Sequence, residues 1–382
     1  MLEDDPNGYR GDPWSIGRTP VSLTLYYVTY TVGEAEMLVL IKYVSAIILI
    51  VGTILPEYST AGANNAPMIA RWYGAKQAAV SLRFDDSLES HVKYAIPLLN
   101  KYDIKATFMI NPGLERFAKN KYFWENQVPL MGHQLGNHTM HHRGAKTPAE
   151  ADFEIGEVSR LIWRIYPEQS KLLVFASGGG GKKWGGKYWE EAPEDYKSLV
   201  RKYFLIDLYD GQHPHLSVQS ELSDEEIIRF IRKALRENRH QAIVFHEIGR
   251  PGILERLKGI YRGYDLSINH ESLENILVFL QKMEKVLWTA PVADILKYEK
   301  ERNGAQLVLT SRDKSHIRID LIVNTDSKFY DHNLTVVVPA DDKFKVNSIV
   351  QGTKRIELYS QSENRITFNI QPVNSQITLS FH

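Results

Sequence analysis

Two adjacent carboxylates follow a short apolar run early in the chain, in the sequence Ser81-Leu-Arg-Phe-Asp-Asp86. An apolar run that ends in charge is typical of a buried strand whose carboxyl end opens on a site. Three histidines follow in Gly136-Asn-His-Thr-Met-His-His142, where His138 and His142 are four residues apart. On one helical turn this spacing directs both rings to the same side. Two imidazoles and one carboxylate can hold a divalent metal, and the second carboxylate is then left for proton transfer.

Each motif alone also has an ordinary structural interpretation. Adjacent aspartates are common on protein surfaces, and isolated histidines are usually structural or solvated. Successive residues of a strand point to opposite faces, so Asp85 and Asp86 can serve one site only if the strand ends there and the backbone turns. His141 points elsewhere on the helical turn and is left out of the metal site. His215 is interpreted as a surface residue of a loop.

Length and composition restrict the possible functions. The 382-residue chain is long enough for one large domain and a small one. Its formal net charge of +0 gives no electrostatic case for a nucleic-acid partner. The chain contains no cysteine, which excludes disulfides, thiolate metal sites and a cysteine nucleophile.

Residues 37–63 have the layout of a secretory signal peptide. Lys42 precedes an apolar stretch that ends at Leu55, and small residues suited to cleavage follow as far as Ala63. We therefore expect an exported protein that works in the periplasm, at the cell surface or in the medium.

Two further expectations depend on this segment. Met37 is interpreted as the true start, and residues 1–36 as a non-native extension. The alternative to a cleaved signal is a membrane anchor formed by residues 38–55, because that stretch is near the lower limit for spanning a bilayer. The protein would contact a membrane only in that case.

Residues 64–303 alternate short apolar runs with helix-like periodicity. The predicted strands are Ala79–Phe84, Lys105–Ile110, Gln134–Asn137, Leu172–Ala176, Tyr203–Leu208, Ala242–Phe245 and Val286–Thr289. The predicted helices are Leu88–Lys101, Pro148–Ile165, Ser223–Arg239 and Glu271–Lys285. Strands that alternate with helices predict a parallel sheet of the α/β class. The number and length of these units favour a (β/α)7-type barrel over an open sheet, and such a barrel would place the aspartates, His138 and His246 at carboxyl ends of strands.

Residues 304–382 change in character to short alternating runs with polar turns. The predicted strands are Gln306–Thr310, His316–Val323, Asn333–Val338, Ser348–Val350, Arg355–Leu358, Arg365–Ile370 and Gln376–Phe381. This pattern predicts a small all-β sandwich as an accessory domain. No aromatic platform for a sugar is visible in it, so a packing role is favoured over carbohydrate binding.

Several stretches together resemble a known family. Phe84-Asp-Asp86, the His138 and His142 pair, and Val244-Phe-His246 are similar to the successive motifs of the polysaccharide deacetylases, carbohydrate esterase family 4. The similarity covers about residues 76–300. It implies a distorted barrel and a hydrolase that removes N- or O-linked acetyl groups from a polysaccharide or oligosaccharide. It also implies one divalent metal, with zinc favoured over cobalt, nickel or manganese.

The resemblance assigns roles to individual residues. Asp86, His138 and His142 would ligate the metal, and Asp85 would be the base that activates the water. His246 would be the acid that protonates the leaving group. Such a metal polarises the acetyl carbonyl and acidifies water, so these groups must converge on one point.

The sequence departs from the family's third motif, which places an arginine after strand four to hold the catalytic aspartate. The stretch from Phe175 to Trp184 contains no arginine. Arg83 lies two residues before Asp85 and faces the same way along a strand. We hypothesise that Arg83 or a lysine of the Lys182-Lys183 pair replaces this arginine beside Asp85. The alternatives are that Arg83 pairs with an unrelated acid or that nothing replaces the arginine.

The fourth motif also differs, because Gly211 stands where the family has tryptophan after an aspartate. Asp210 matches the aspartate that orients the acid His246, and Asp207 is its rival. Either could instead be an ordinary loop residue. These departures bear on which substrate the protein would use more than on which reaction it would catalyse.

Trp184 and Asn111 are the candidates for substrate binding. Trp184, Tyr188 and Trp189 follow the glycine run, where their rings could stack on a sugar or simply pack together.

Two other functions fit part of the pattern. Two histidines and one carboxylate also suit a non-haem iron oxygenase, although such a site needs no adjacent second aspartate. A barrel that binds glycans after losing catalysis is the third interpretation.

Overall fold

The computed structural model describes residues 66–178, 182–209, 215–249, 266–341, 343–362 and 364–382. The expectations about residues 1–63, and Asp210 itself, lie outside these ranges. Residues 67–382 form one compact unit. None of the helices in the described ranges combines the length and apolar character that a bilayer span requires.

The part of the chain before residue 304 alternates strands and helices. The strands are Met68–Ile69 (β1), Ala78–Phe84 (β2), Thr107–Ile110 (β3), Gln134–Asn137 (β4), Gly144–Ala145 (β5), Leu173–Phe175 (β6), Lys183–Trp184 (β7), Leu205–Asp207 (β8), His215–Ser217 (β9), His240–Phe245 (β10), Glu247–Ile248 (β11), Ser267–Ile268 (β12) and Leu287–Thr289 (β13). The α-helices are Ile96–Lys101 (α1), Glu115–Lys119 (α2), Val128–Leu130 (α3), Pro148–Ile165 (α4), Glu194–Lys202 (α5), Asp224–Glu237 (α6), His270–Lys282 (α7) and Val292–Asn303 (α8). Two π-helical turns, His91–Ala95 and Phe123–Gln127, run into α1 and α3.

The central sheet is parallel and has the strand order β8-β6-β4-β3-β2-β10-β9. Every residue of β2 is buried, as expected of a strand covered on both faces. In the described residues the edge strands β8 and β9 do not pair with each other, so the barrel is open on that side. The predicted α/β class and distorted barrel are confirmed.

Two strands differ from the sequence prediction. β13 was expected as the last unit of the series, but it pairs with the first half of β2, beside the residues Ala78 to Val80. β3 pairs with the second half of β2, at Arg83 and Phe84. β9 was not predicted, and it places His215 in a parallel strand beside β10 instead of a surface loop.

Helices α6 and α7 begin at residues whose side chains cap the first turn. Ser223 and Glu226 form a reciprocal capping box at the start of α6. Asn269 caps α7 by accepting a hydrogen bond from the amide of Ser272. Helices α5 and α8 were not predicted. Both have an N-cap proline without a side-chain cap, so the usual polar start signal is missing.

Residues 305–382 form two antiparallel sheets. Their strands are Ala305–Arg312 (β14), His316–Val323 (β15), Leu334–Pro339 (β16), Val346–Gln351 (β17), Lys354–Arg355 (β18), Tyr359–Ser362 (β19), Arg365–Ile370 (β20) and Ser375–Phe381 (β21). One sheet has the order β14-β15-β21-β17-β18 and the other β1-β16-β20-β19. The predicted sandwich is therefore present, but it also takes up β1 from before the barrel. The predicted boundary at residue 304 leaves that strand out.

The predicted strand Arg355–Leu358 is wrong. β18 pairs with β17 in one sheet, while β19 pairs with β20 in the other. Residues 356–358 therefore cross between the sheets, although the amide of Ile356 still donates to the carbonyl of Ile349 on β17 at 2.9 Å.

The sandwich and the barrel share packed side chains. Trp288 on β13 and Tyr298 on α8 belong to the same apolar cluster as the sandwich strands. The hydroxyl of Tyr298 donates a 2.7 Å hydrogen bond to the carbonyl of Ala70, next to β1. This contact supports the packing role of the β-region.

Candidate metal centre

Asp85 and Asp86 lie where β2 ends, and the backbone turns sharply at this point. The amide of Asp85 still donates to the carbonyl of Phe245 on β10 at 2.9 Å. Asp86 and Ser87 then adopt left-handed φ values of 83° and 51°, which cost about 1–3 kcal/mol each. The Ser87 hydroxyl accepts a 2.9 Å hydrogen bond from the amide of Asn111 and holds the turn. Both carboxylates are buried, as a shared site requires.

His138 and His142 meet through a loop, and the helical turn predicted from their spacing is wrong. Residues 138–143 contain no helix, and Thr139 and His142 have φ values of 66° and 54°. The Thr139 hydroxyl accepts from the amide of His142 at 3.0 Å, and the Thr139 amide donates to Oδ1 of Asn137 at 3.0 Å. The two imidazole centroids are 4.7 Å apart.

One nitrogen of each ring faces Asp86. Nδ1 of His138 donates to the carbonyl of Ala176 at 2.9 Å, which leaves the lone pair on Nε2. Oδ1 of Asp86 lies 3.7 Å from Nε2 of His138 and 3.6 Å from Nε2 of His142. The ligand atoms of the three residues all lie within 4.8 Å of one another.

These three side chains fit a divalent metal ion. Nε2 of His142 is buried and has no hydrogen-bond partner among the described residues. Burial lowers the pKa of His142 to about 3, although Asp86 opposes the shift. Burial alone would raise the pKa of Asp86, but His142 and Arg116 outweigh it and lower that pKa. A neutral imidazole pair beside an ionised carboxylate is a donor set that zinc binds.

Asp85 is held by Arg83 in a buried, two-pronged ion pair. Nε of Arg83 donates to Oδ1 at 2.8 Å, and Nη2 donates to Oδ2 at 2.6 Å. Their side chains are only 3% and 2% exposed. Burial would raise the pKa of Asp85, but Arg83 and His138 lower it, so the carboxylate stays ionised. The expected contact between Arg83 and Asp85 is confirmed.

His246 follows β10 and lies in the same region as the two aspartates. The residue before it, Phe245, accepts a hydrogen bond from the amide of Asp85 through its carbonyl at 2.9 Å. Its Nδ1 is buried without a hydrogen-bond partner among the described residues. Its backbone carbonyl accepts a 2.6 Å hydrogen bond from Nε2 of His91, a buried residue that sequence reasoning missed.

Asp207 does not orient His246. Its carboxylate accepts from the indole of Trp189 at 2.7 Å and from the amide of Tyr209 at 2.9 Å. It also lies 3.6 Å from Nζ of Lys197. In the described part of the chain these contacts make Asp207 a structural residue, so its proposed role as the rival of Asp210 is wrong.

The substrate-binding role predicted for Trp184 is wrong. Its side chain is 0% exposed, and its ring packs against Trp189 with centroids 5.1 Å apart. A ring without accessible surface cannot stack on a sugar. Tyr188 is 48% exposed and is the accessible aromatic residue of the three.

Asn111 is also buried, and it supports the loop that carries the candidate ligands His138 and His142. Its amide nitrogen donates to the carbonyls of His138 and Thr139. The predicted contact with substrate is therefore wrong, because Asn111 has no exposed surface and fixes the loop of the histidine ligands.

Two further residues of the site escaped the sequence analysis. Glu154 on α4 is 0% exposed and accepts from Nδ1 of His141 at 2.8 Å, so His141 turns away from the ligand cluster as predicted. Arg116 on α2 donates from Nη2 to Oδ1 of Asp86 at 2.9 Å. No sequence pattern links Arg116 to Asp86, because helix α2 and the end of β2 meet only in the folded chain.

The comparisons with known proteins agree with this geometry. Residues 73–184 match the family model of the polysaccharide deacetylases. This segment therefore carries the polysaccharide deacetylase signature. The matched segment contains both aspartates and both ligand histidines, while His246 lies beyond it.

Individual relatives are distant. A gellan lyase from a Bacillus species is 21% identical over 72% of this chain, but the chain spans only 11% of that protein's length. The peptidoglycan deacetylase PdaC from Bacillus subtilis is 15% identical with a TM-score of 0.35, covering 60% of this chain and 94% of that one. A family 4 pseudoenzyme from Bacillus anthracis is 13% identical with a TM-score of 0.36, covering 57% and 65%.

Proposed function

We propose that the protein is a metal-dependent hydrolase that removes acetyl groups from a polysaccharide or oligosaccharide. The observation that carries this proposal is the buried cluster of Asp86, His138 and His142 beside an ionised Asp85. A binding site without chemistry has no need for a second buried carboxylate held in a fork by arginine.

Asp86, His138 and His142 would hold the ion, with zinc as the first candidate and cobalt, nickel or manganese as alternatives. When bound, such an ion supplies a Lewis acid for the acetyl carbonyl and lowers the pKa of water. The hydrogen bond from His138 to the carbonyl of Ala176 fixes the tautomer that leaves Nε2 available.

Asp85 acts as the general base that accepts the proton of the attacking water. Its Oδ2 lies 3.9 Å from Nε2 of His138, next to the ligand cluster. Arg83 keeps this carboxylate ionised and fixes its orientation, which is the work that the family's third-motif arginine would do.

His246 acts as the general acid that gives a proton to the departing sugar nitrogen or oxygen. The hydrogen bond from His91 holds its backbone in place. The buried Nδ1 of His246 is the atom that an orienting carboxylate would bind. Asp210 is the motif match for that carboxylate, and this contact remains a prediction because Asp210 lies outside the described residues.

The direct experiment measures acetate release from a panel of N- and O-acetylated glycans. The metal-free protein is loaded with zinc, cobalt, nickel or manganese, and a chelated sample serves as the control. We expect acetate only from loaded protein. Metal binding without acetate from any glycan would favour a glycan-binding barrel, and oxygen consumption by an iron-loaded sample would favour an oxygenase.

We also propose that the protein acts outside the cytoplasm, where acetylated polysaccharides are accessible. The signal-like segment 37–63 supports this proposal. N-terminal sequencing of the natively expressed protein tests it. A mature chain that starts near Asn64 is expected, and one that retains residues 38–55 would support a membrane anchor instead.

A further inference from the structure

One short segment after β6 contacts the imidazoles of both histidine ligands. The amide of Ala176 donates to the carbonyl of Asn137 at 3.0 Å, next to the parallel pairing of Phe175 with Asn137. The carbonyl of Ala176 accepts the 2.9 Å hydrogen bond from Nδ1 of His138. This segment is therefore fixed to the strand that leads into His138.

Gly178, two residues further on, lies against the imidazole of His142. A Cβ atom placed on Gly178 would be 2.9 Å from both Cδ2 and Nε2 of this ring and 3.4 Å from its Cε1. Ordinary van der Waals contact with a Cβ atom begins at 3.4 Å. Nε2 is also the atom that faces Oδ1 of Asp86 at 3.6 Å. Only glycine therefore leaves room for the ring in the position from which it would bind a metal.

The ring of His142 is enclosed by its surroundings. Its side chain is only 8% exposed, and the imidazole of His138 flanks it with the two centroids 4.7 Å apart. The Thr139 hydroxyl accepts from the amide of His142 and fixes its backbone. A methyl group at position 178 would therefore force the ring or the loop after β6 to shift.

The backbone of Gly178 has a second property that favours glycine. Its φ of 84° lies in the left-handed region, where other residues are strained. Gly186 has nearly the same φ, 83°, but a Cβ atom there would have no heavy atom within 4 Å among the residues that the structure describes. The two glycines therefore allow backbone strain to be separated from contact with the ring of His142.

We propose that Gly178 is a positioning residue of the metal centre, which sets the place of the His142 imidazole as Ala176 sets that of His138. A zinc ion lies about 2.0–2.1 Å from a ligating nitrogen, and a functional site must hold its ligands within about 0.5 Å of the productive geometry. A side chain at position 178 would exceed that tolerance. This inference rests on the proposed metal-dependent function and adds a residue without a side-chain donor of its own.

The first test measures the zinc affinity of Gly178→Ala and Gly186→Ala. Each protein is stripped of metal and titrated with zinc in a calorimeter against a competing chelator. We expect Gly178→Ala to bind zinc about 10- to 100-fold more weakly than the wild type, the usual effect of disturbing contacts that orient ligands. Gly186→Ala should bind zinc as the wild type does, because its methyl group meets no neighbour. An unchanged affinity in Gly178→Ala, or equal losses in both variants, would overturn the proposal.

The second test reports the geometry of the site without turnover. The visible absorption spectrum of bound cobalt depends on the arrangement of its ligands, and a loss of stability alone leaves it unchanged. At saturating cobalt we expect an altered spectrum in Gly178→Ala and the wild-type spectrum in Gly186→Ala. If the wild type binds metal but releases no acetate from any glycan, the proposed function fails and these measurements still decide the role of Gly178. A wild type that binds neither zinc nor cobalt would overturn both proposals.

A double variant tests the contact itself on metal-free protein. In the His142→Ala background the ring is absent, so adding Gly178→Ala should lower the denaturant midpoint no more than Gly186→Ala lowers it in the wild type. In the presence of the ring the shift should be larger. If Gly178→Ala alone does not fold, we expect His142→Ala to restore folding. Equal shifts with and without the ring, or a double variant that still does not fold, would show that contact with His142 is not the reason for glycine at this position.

Discussion

Arg83 and Asp85 stand two residues apart on the same face of one chain segment, and each uses two atoms to bind the other. The family's usual arginine comes from a different strand. Here the cation that binds Asp85 comes from the same segment as Asp85, the proposed base. The carboxylate of Asp85 is therefore paired within its own segment, while its amide is bound by Phe245 on β10.

Loss of this pair should destabilise the protein. Arg83→Gln leaves Asp85 buried without its counter-charge, and breaking one side of a buried pair typically costs about 3–5 kcal/mol. We expect a loss of that size in the free energy of unfolding, measured with denaturant on metal-free protein. Lys119→Gln, which breaks an exposed pair, is the control and should change it by about 0.5 kcal/mol or less.

A double variant makes this prediction sharper. Arg83→Gln combined with Asp85→Asn replaces two buried charges with neutral groups, so it should recover part of the stability that Arg83→Gln loses. If the double variant loses as much free energy of unfolding as the two single variants lose together, Arg83 and Asp85 are not energetically coupled. The ion pair then has no special role in stability.

The two aspartates should separate metal binding from turnover. Asp86→Asn should lower metal occupancy and lose activity with it. Asp85→Asn keeps Asp86, His138 and His142, so the metal should remain, while activity should fall about 100- to 10,000-fold through loss of the base. Metal analysis beside acetate release tests both variants.

Asp103→Asn is the matched control, because that side chain is 89% exposed. The roles are reversed if Asp85→Asn loses the metal and Asp86→Asn retains it. Near-normal turnover in Asp85→Asn would contradict the proposed mechanism altogether.

His246→Ala should retain the metal and lose proton donation. The loss should be larger for N-acetyl than for O-acetyl substrates, because an amine leaving group depends more on protonation. His316→Ala, in the sandwich, is the control. Equal losses on both substrate types would argue that His246 does not serve as the acid.

His133 should make stability depend on pH. Its side chain is 0% exposed, and its Nδ1 accepts a 3.3 Å hydrogen bond from the amide of Ala106. Burial, with a smaller effect of Lys105, lowers the pKa of His133 to about 4, compared with 6.5 ordinarily. Between these values the unfolded chain binds a proton that the folded chain excludes, so stability falls as pH decreases.

His133→Asn keeps an acceptor for Ala106 but cannot take up the proton. Between pH 7 and pH 5 the wild type should lose about 2 kcal/mol more of its free energy of unfolding than this variant loses. Denaturant unfolding at the two pH values measures the difference. His382→Asn, at the exposed C-terminus, controls for a general effect of removing a histidine. Parallel losses in wild type and His133→Asn would show that His133 is not the source.

The sequence by itself determined the features that depend on neighbours in the chain. The buried strand β2 was predicted from its apolar run, in which Ala78, Val80, Leu82 and Phe84 share one face. The capping box at Ser223 needs only a residue three positions ahead. The pairing of Arg83 with Asp85 follows from the alternation of a strand. Each of these contacts has a fixed separation along the chain, so local geometry was enough to predict it.

Only the tertiary structure decided how the ligands converge. Asp86, Thr139 and His142 adopt left-handed φ values, which are uncommon outside glycine and least favourable for the β-branched Thr139. Asn111, which follows β3, stabilises both turns by donating to the hydroxyl of Ser87 and to the carbonyls of His138 and Thr139. A sequence pattern cannot reveal such strain, because the energy that offsets it comes from residues far away in the chain.

Dependence on distant residues also explains why the substrate role predicted for Trp184 was wrong and why Arg116 was not predicted. Whether an aromatic ring is a platform or a core residue depends on what covers it, and Trp184 is covered by Trp189. Whether an arginine belongs to a metal centre depends on which loops meet there. The burial of Trp184 and the meeting of Arg116 with Asp86 both depend on contacts between segments that are far apart in the sequence. Only folding sets the relative positions of those segments.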